Sequence, residues 1–208
     1  MKKIAFTMRE ISATDCREYR DAISHDWLDY ASKLQAIPFL IPNFEHNLEY
    51  YLKQIRPDLI ILTGGNDIGN STKRDKTEKK LIELAIDNYI PLLGICRGLQ
   101  MINCFFGGKI SEIHNHANKC HQVYLSGKFT DVYGYKTTVN SYHNFGIKRS
   151  DLGLNLDIMA TDDNNMVEGV VHKNHFIAGI MWHPERPSKN QKDKNLIKQM
   201  LNSKTSPQ

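Results

Sequence analysis

The chain has 208 residues, of which 40% are hydrophobic and 24% charged, and it carries a net charge of +4. That is enough for one sizeable core, while the apolar runs are too short to span a membrane and the N-terminus lacks a signal-peptide pattern. The positive excess lies in "KRDKTEKK" (73–80) and in the tail after Lys189. Neither segment interleaves aromatics, so solvated helix faces are expected and neither a nucleic-acid nor a membrane partner. The four cysteines, Cys16, Cys96, Cys104 and Cys120, are scattered without a C-x-x-C pair. A reducing cytosol without disulfides is expected.

The first strand is predicted over residues 2–8. A helix is predicted over 16–35, with Tyr19, Ile23, Trp27, Tyr30 and Leu34 three or four apart. A short strand follows at 37–42, then a helix at 46–55 and a strand at 58–65 that ends in glycines. The next helix is expected from Asp75 to Asn88, and the next strand in "IPLLGI" (90–95), with a helix after Cys96. Strand and helix alternate, and the strands are continuously apolar. This predicts an α/β fold of flavodoxin-like or Rossmann-like type, with a mostly parallel sheet flanked by helices. From Lys109 onward, "HQVYL", "KTTVNSYH", "LDIMATD", "VEGVVH" and "HFIAGIMWH" read as short strands, partly antiparallel. "KNQKDKNLIKQML" closes the chain as a helix. No linker or repeat interrupts residues 1–208, so a single domain is expected.

In such a sheet ligands bind beyond the carboxyl ends of the strands. Cys96 lies there, between Gly94 and Gly98, in the G-x-nucleophile-x-G pattern of a strand-to-helix elbow. The helix N-terminus that follows favours a thiolate and an oxyanion. A buried structural cysteine would look the same locally, so the base matters. "GIMWHPERP" (179–187) supplies one. In extended backbone His183 and Glu185 project to the same side, so Glu185 can orient the imidazole that faces Cys96. The amide of Arg97 is one oxyanion donor, and a glycine of "LTGGND" (62–67), Gly65, is the candidate for the second. "HNHANKCHQ" (114–122) holds three histidines and a cysteine; it lacks regular ligand spacing, so it reads as a loop with incidental histidines in preference to a zinc site. Cys104 reads as core.

The motifs "TGGND", "RDKTE", "GICRGLQMIN", "FFGGKI", "VNSYHNFGI", "VEGVVH" and "GIMWHPE", in this order, resemble the class I glutamine amidotransferase-like family. The "FTMRE" start and Arg97 after the cysteine look like its γ-glutamyl hydrolase branch. The resemblance implies a Cys96–His183–Glu185 triad, a γ-glutamyl thioester and its hydrolysis, with no cofactor and no metal. It assigns the glutamate end of a small-molecule γ-glutamyl substrate to Gln100 and to Asn140, Ser141, Tyr142 and His143, with a structural hydrogen-bonding role as the equal alternative for the His143 side chain. It also implies a free-standing hydrolase without a synthase partner. Residues 67–75 are shorter than in typical γ-glutamyl-GABA hydrolases. Arg9, Lys73 and Arg74, if they line the crevice, would suit a phosphate-bearing leaving group, such as a phosphoramidate of a cytidine nucleotide. Ordinary surface or structural cations are the competing reading of these three. A γ-glutamyl amine hydrolase and a glutaminase subunit remain alternatives, and the complete triad argues against a catalytically dead binding protein.

Overall fold

Leu59–Leu62 and Leu92–Ile95 are buried at every position, as a strand must be when helices cover both faces of its sheet. The computed structural model describes residues 1–14, 18–113, 116–186 and 192–203. The first half runs β1 (Lys2–Thr7), β2 (Arg9–Ser12), β3 (Tyr19–Ala22), α1 (His25–Lys33), β4 (Ala36–Ile41), α2 (Leu48–Ile55), β5 (Leu59–Leu62), α3 (Thr72–Asp87), β6 (Leu92–Ile95) and α4 (Arg97–Phe105). The second runs β7 (Ser111–Glu112), β8 (Lys119–Leu125), α5 (Phe129–Tyr133), β9 (Lys136–Ser141), β10 (Phe145–Lys148), a 3-10 turn (Arg149–Asp151), β11 (Leu156–Asp162), β12 (Met166–His172), β13 (Ile177–Ile180) and α6 (Asp193–Asn202).

The main sheet has the order β4-β1-β5-β6-β13-β12-β11-β8-β9. β4, β1, β5, β6 and β13 are mutually parallel. β12, β11, β8 and β9 continue it antiparallel, so the predicted mixed α/β sheet is present. Side chains alternate between two cores along each strand. Ile4, Phe6, Leu59 and Ile61 face α1 and α6 on one side. Ala5, Ile60 and Leu62 face α2, α3 and α4 on the other. No helix among the described residues is long and apolar enough to cross a membrane.

Two expectations need correction. The helix predicted over 16–35 begins only at His25, where Ser24 caps it by accepting from the Asp26 amide. Tyr19–Ala22 instead pairs with Arg9–Ser12 in a separate two-stranded sheet, and Tyr19 is 71% exposed. The aromatic spacing from Tyr19 to Trp27 is therefore not a helical face. Cys16 lies outside the described residues. The helix expected from Asp75 starts three residues earlier, because the Ser71 side chain caps it through the Arg74 amide.

Because β5, β6 and β13 are parallel neighbours, their carboxyl ends open at one edge, bringing residues 63–66, 96–98 and 181–185 together. The close crossing there needs two glycines. A Cβ on Gly98 would stand 2.2 Å from the Leu62 carbonyl oxygen, and one on Gly94 would stand 2.5 Å from the Gly98 backbone. Backbone cannot yield as a side chain tip can. Gly98→Ala should therefore lower stability by about 1–3 kcal/mol through overpacking, read as a lower midpoint in urea unfolding. An unchanged midpoint would show that helix and strand separate freely.

Candidate active site

Cys96 occupies the turn between β6 and α4 at φ 53° and ψ −105°. A non-glycine residue in the positive-φ region is a local strain that surrounding structure must hold. The Cys96 amide does so by donating to the Ile180 carbonyl of β13 at 2.8 Å. The residue is 7% exposed. The Arg97 amide opens α4, where it has no intrahelical acceptor, so it is available to an anion formed at the sulfur.

His183 follows β13 and is buried. Its Nδ1 lies 2.7 Å from Glu185 Oε1; Pro184 and Glu185 form a turn, not the extended chain expected, and the turn brings the carboxylate back to the ring. Burial works against the charged imidazole, but hydrogen bonds with Cys96 and Glu185 outweigh it and raise the pKa to about 9. A Cβ on Gly64 would lie 2.7 Å from His183 Cε1 and 3.6 Å from Cys96 Cβ. Gly64, which sequence reasoning passed over for its neighbour, is thus the gap through which the ring reaches the thiol. The His183 backbone is clamped as well: its amide donates to Asn140 Oδ1 at 2.8 Å, and Asn140 Nδ2 donates to its carbonyl at 2.9 Å. Before it in sequence, Trp182 donates to Asp193 Oδ1 at 2.8 Å, fixing the approach to His183 from α6.

The loop after β5 is shaped by Arg74, which is fully buried. Its guanidinium donates to the carbonyls of Thr63 (2.7 Å), Gly64 (3.1 Å) and Gly65 (2.8 Å), and to Glu78 (3.0 Å). This corrects the expectation that Arg74 meets a leaving group: its donors are taken by the loop and by Glu78. Glu78 also accepts from Thr7 Oγ1 at 2.9 Å and from Arg97, whose other arm reaches Asp75. Burial pushes the Glu78 carboxyl up, but Arg97 and Arg74 override it and hold it below its ordinary value. Gly65 sits at φ +87°, a conformation that suits glycine.

Arg9 begins β2, and its guanidinium carbon lies 3.0 Å from where a Gly65 Cβ would be. The strand is fixed beside this loop by Asn66, which accepts from the Glu10 amide and donates to its carbonyl, both at 2.9 Å. Lys73 is exposed and lines a groove with Asn43, Phe44 and His46, without Cys96 or His183; it is not brought to the thiol. Gln100 is 3% exposed, and its amide donates to the Phe145 carbonyl at 2.9 Å. Of the four residues 140–143, Asn140 and Tyr142 meet His183. The Tyr142 ring stands edge-on to the imidazole at 5.5 Å, and the Arg186 guanidinium covers that ring at 3.8 Å. Arg186 was not singled out from the sequence, although it adjoins the His-Pro-Glu run. Ser141 and His143 are buried. Ser141 Oγ bonds the His116 carbonyl, and His143 packs beside Glu168. Neither opens to the crevice, which corrects the expectation that all four contact substrate. His116 and His121 are not incidental loop histidines either: both pack into a buried cluster with His143. His114 lies outside the described residues.

The arrangement sets a thiol, an imidazole and a carboxylate in series next to a helix N-terminus, which is equipment for acyl transfer through a thioester. The model of the Peptidase C26 family matches residues 4–185. A γ-glutamyl-CDP-amidate hydrolase of Campylobacter jejuni subsp. jejuni is 37% identical over 194 residues, covering 88% of this chain and 90% of that one. Anthranilate synthase component 2 of Thermococcus kodakarensis is 27% identical, covering 80% and 83%. The acivicin-bound glutaminase domain of the CTPS of Trypanosoma brucei superposes with a TM-score of 0.75 at 15% identity, covering 99% and 96%; at that identity it speaks for the fold alone.

The raised pKa of His183 has a consequence. Its charged form adds stability that is complete below the ordinary value of 6.5 and is lost as pH rises through about 9. Cys96→Ala removes one of the two partners that support the charge. The His183 resonances in an NMR titration should then turn over at a lower pH than in the parent chain. An unchanged titration would mean that the thiol and the imidazole do not interact.

Proposed function

The chain belongs to the Peptidase C26 family, and on that premise we propose that it hydrolyses a γ-glutamyl amide through a thioester on Cys96, with γ-glutamyl-CDP-amidate as the substrate. The observation that carries the mechanism is His183, held within 2.7 Å of Glu185 on one side and raised in pKa by Cys96 on the other. The thiolate attacks the γ-carbonyl carbon, and the resulting oxyanion is received by the amides of Arg97 and Gly65. His183 protonates the departing nitrogen as the C–N bond breaks, leaving a γ-glutamyl thioester. Water then gives a proton to His183 and attacks the thioester; the C–S bond breaks and glutamate leaves. Glu185 orients the ring throughout, and Asn140 fixes its backbone.

The choice of leaving group rests on charge and on kinship. Arg74 and Arg97 are balanced by Glu78 and Asp75. Arg9 adds a further guanidinium beside Gly65, without a hydrogen bond or ion pair to any described residue. An unbalanced guanidinium beside the oxyanion loop suits a phosphorylated leaving group, and the Campylobacter relative carries that specificity in its name. Lys73 and Arg74 no longer support the reading; Arg9 does. A glutaminase feeding ammonia to a separate synthase is the second reading, favoured by the likeness to an anthranilate synthase component.

Purified protein should release glutamate from γ-glutamyl-CDP-amidate with a higher kcat/KM than from γ-glutamyl-GABA or glutamine. Cys96→Ala should abolish turnover, and His183→Ala should lower kcat by orders of magnitude. Arg9→Met should cost about 10-fold or more on the phosphorylated substrate alone, the size of a lost charge-assisted hydrogen bond. Equal losses on all substrates would leave a general γ-glutamyl amide hydrolase. Turnover of glutamine that rises only when a synthase is added would favour the subunit reading.

A further inference from the structure

Behind the strand that carries Asn140 lies a second set of polar side chains that the reaction does not use. Glu168 of β12 is 1% exposed, and neither of its carboxylate oxygens has a hydrogen-bond partner among the described residues. Two imidazoles face it. His121 Nε2 of β8 lies 3.3 Å from Oε2, and His143 Nε2 lies 3.6 Å from Oε1, in both cases without hydrogen-bond geometry. On the same side, His116 Nε2 is 2.9 Å from Asp162 Oδ2 of β11. Ligating atoms of His116, Asp162 and Glu168 all fall within 4.8 Å of one another. The His116 ring centroid is 5.5 Å from that of His121 and 5.3 Å from that of His143.

The tautomer of His143 makes this arrangement unfavourable without a cation. Its Nδ1 lies 3.0 Å from the Phe145 carbonyl oxygen. A carbonyl only accepts, so Nδ1 carries the hydrogen, and in the neutral ring Nε2 presents a lone pair. The lone pair therefore points at a buried carboxylate that is itself an acceptor. Among the described residues, no lysine or arginine pairs with either Glu168 or Asp162. A buried Glu168 carboxylate with neither oxygen hydrogen-bonded is costly unless a positive charge sits beside it. The spacing fits an ion. Two nitrogen or oxygen ligands at ~2.0–2.1 Å from a tetrahedral metal stand ~3.3 Å apart, and the ligating atoms of His116, Asp162 and Glu168 lie within 4.8 Å of one another.

We propose that His116, Asp162 and Glu168, with His121 and His143 beside the Glu168 carboxylate as further nitrogen donors, bind one divalent transition-metal ion, zinc being the best match to these imidazole and carboxylate donors. Asp162 suits such a site: its Oδ1 already accepts from the amides of Asn164 and Met166 at 2.9 and 2.8 Å, which fixes the carboxylate with Oδ2 toward His116. The role is structural. The ion would fasten β8, β11 and β12 to the end of β9, where Asn140 clamps the His183 backbone. It takes no part in the chemistry at Cys96.

The test is metal analysis of protein purified without a histidine tag or chelator, in the Cys96→Ala background so that the reactive thiol does not hold the ion. About one zinc per chain is expected. Chelator-stripped protein should melt at lower temperature and recover with one equivalent of Zn2+; Co2+ in its place should give visible d–d absorption. His121→Ala and Asp162→Asn should each reduce the metal content. If a variant fails to fold, the stripped and reloaded parent still decides. Protein that holds far less than one equivalent, with a Tm indifferent to chelator and to Zn2+, would overturn the proposal. A Tm that instead falls as pH rises, with no response to metal, would put a protonated His121 against Glu168 in place of the ion.

Discussion

Glu78 joins three elements that would otherwise have no common anchor. It reaches Thr7 at the end of β1, Arg74 one turn earlier on α3, and Arg97 at the start of α4. Arg74 extends the bracing to the carbonyls of Thr63, Gly64 and Gly65. The two proposed oxyanion donors, Arg97 and Gly65, are therefore positioned by arginines that share one carboxylate. As a source of net stability such a network is a weak argument, because desolvating the charges offsets most of their attraction. Its effect is on geometry. With Asp75 it balances two positive charges against two negative ones in a site with almost no water contact. Removing one partner would leave an uncompensated buried charge, at a cost of about 3–5 kcal/mol. The network also explains why a bulky cation can follow the nucleophile: the Arg97 side chain turns away from the thiol into α3.

Around this anchor each part of the site is held by an element other than its own. Cys96 keeps its positive φ because its amide is bonded to β13. His183 is steadied by Asn140 from β9 and, through Trp182, by Asp193 from α6. Burial raises the Asp193 pKa although Trp182 and Tyr133 donate to it. A strained nucleophile and a buried base are tolerable together because the parallel strands β5, β6 and β13 end side by side. The glycines at 64, 94 and 98 permit the close approach, and each would collide with a neighbour if it carried a Cβ.

The sequence made the centre of this site legible and its periphery less so. Cys96 between two glycines, and His183 and Glu185 two apart, are local patterns that pointed to the right residues, although a turn at Pro184 and Glu185, not extended chain, pairs the last two. Strict apolar runs made the parallel sheet equally plain. Arg74 was left between a phosphate-facing and a structural role; the structural one holds, and the sequence could not choose it because its burial depends on a loop nine to eleven residues away. The segment 140–143 was treated as one substrate-binding unit. Side-chain alternation, which the same reasoning used at His183 and Glu185, would have split it: Asn140 and Tyr142 toward the imidazole, Ser141 and His143 into the interior. The histidine segment was set aside as a metal site for a different reason. The cluster's members come from β8, β11, β12 and the chain on either side, so no regular ligand spacing exists to be read.

The hairpin of β2 and β3 stands apart from all of this. It forms its own two-stranded sheet, and its Ile11 and Tyr19 are 43% and 71% exposed. Its attachment to the catalytic edge includes Asn66, which bonds the Glu10 backbone in both directions. A piece so little needed by either core is free to vary without disturbing the elbow, the base or the loop. Yet it delivers Arg9 to Gly65. On the reading proposed here, bond cleavage is assigned to the buried strand ends, where strain and charge are over-determined by the fold. Recognition of the leaving group is assigned to a surface hairpin, where one guanidinium can be gained or lost at little structural cost. The same division would let a single hydrolytic core serve amide substrates whose γ-glutamyl halves are alike and whose other halves differ in charge.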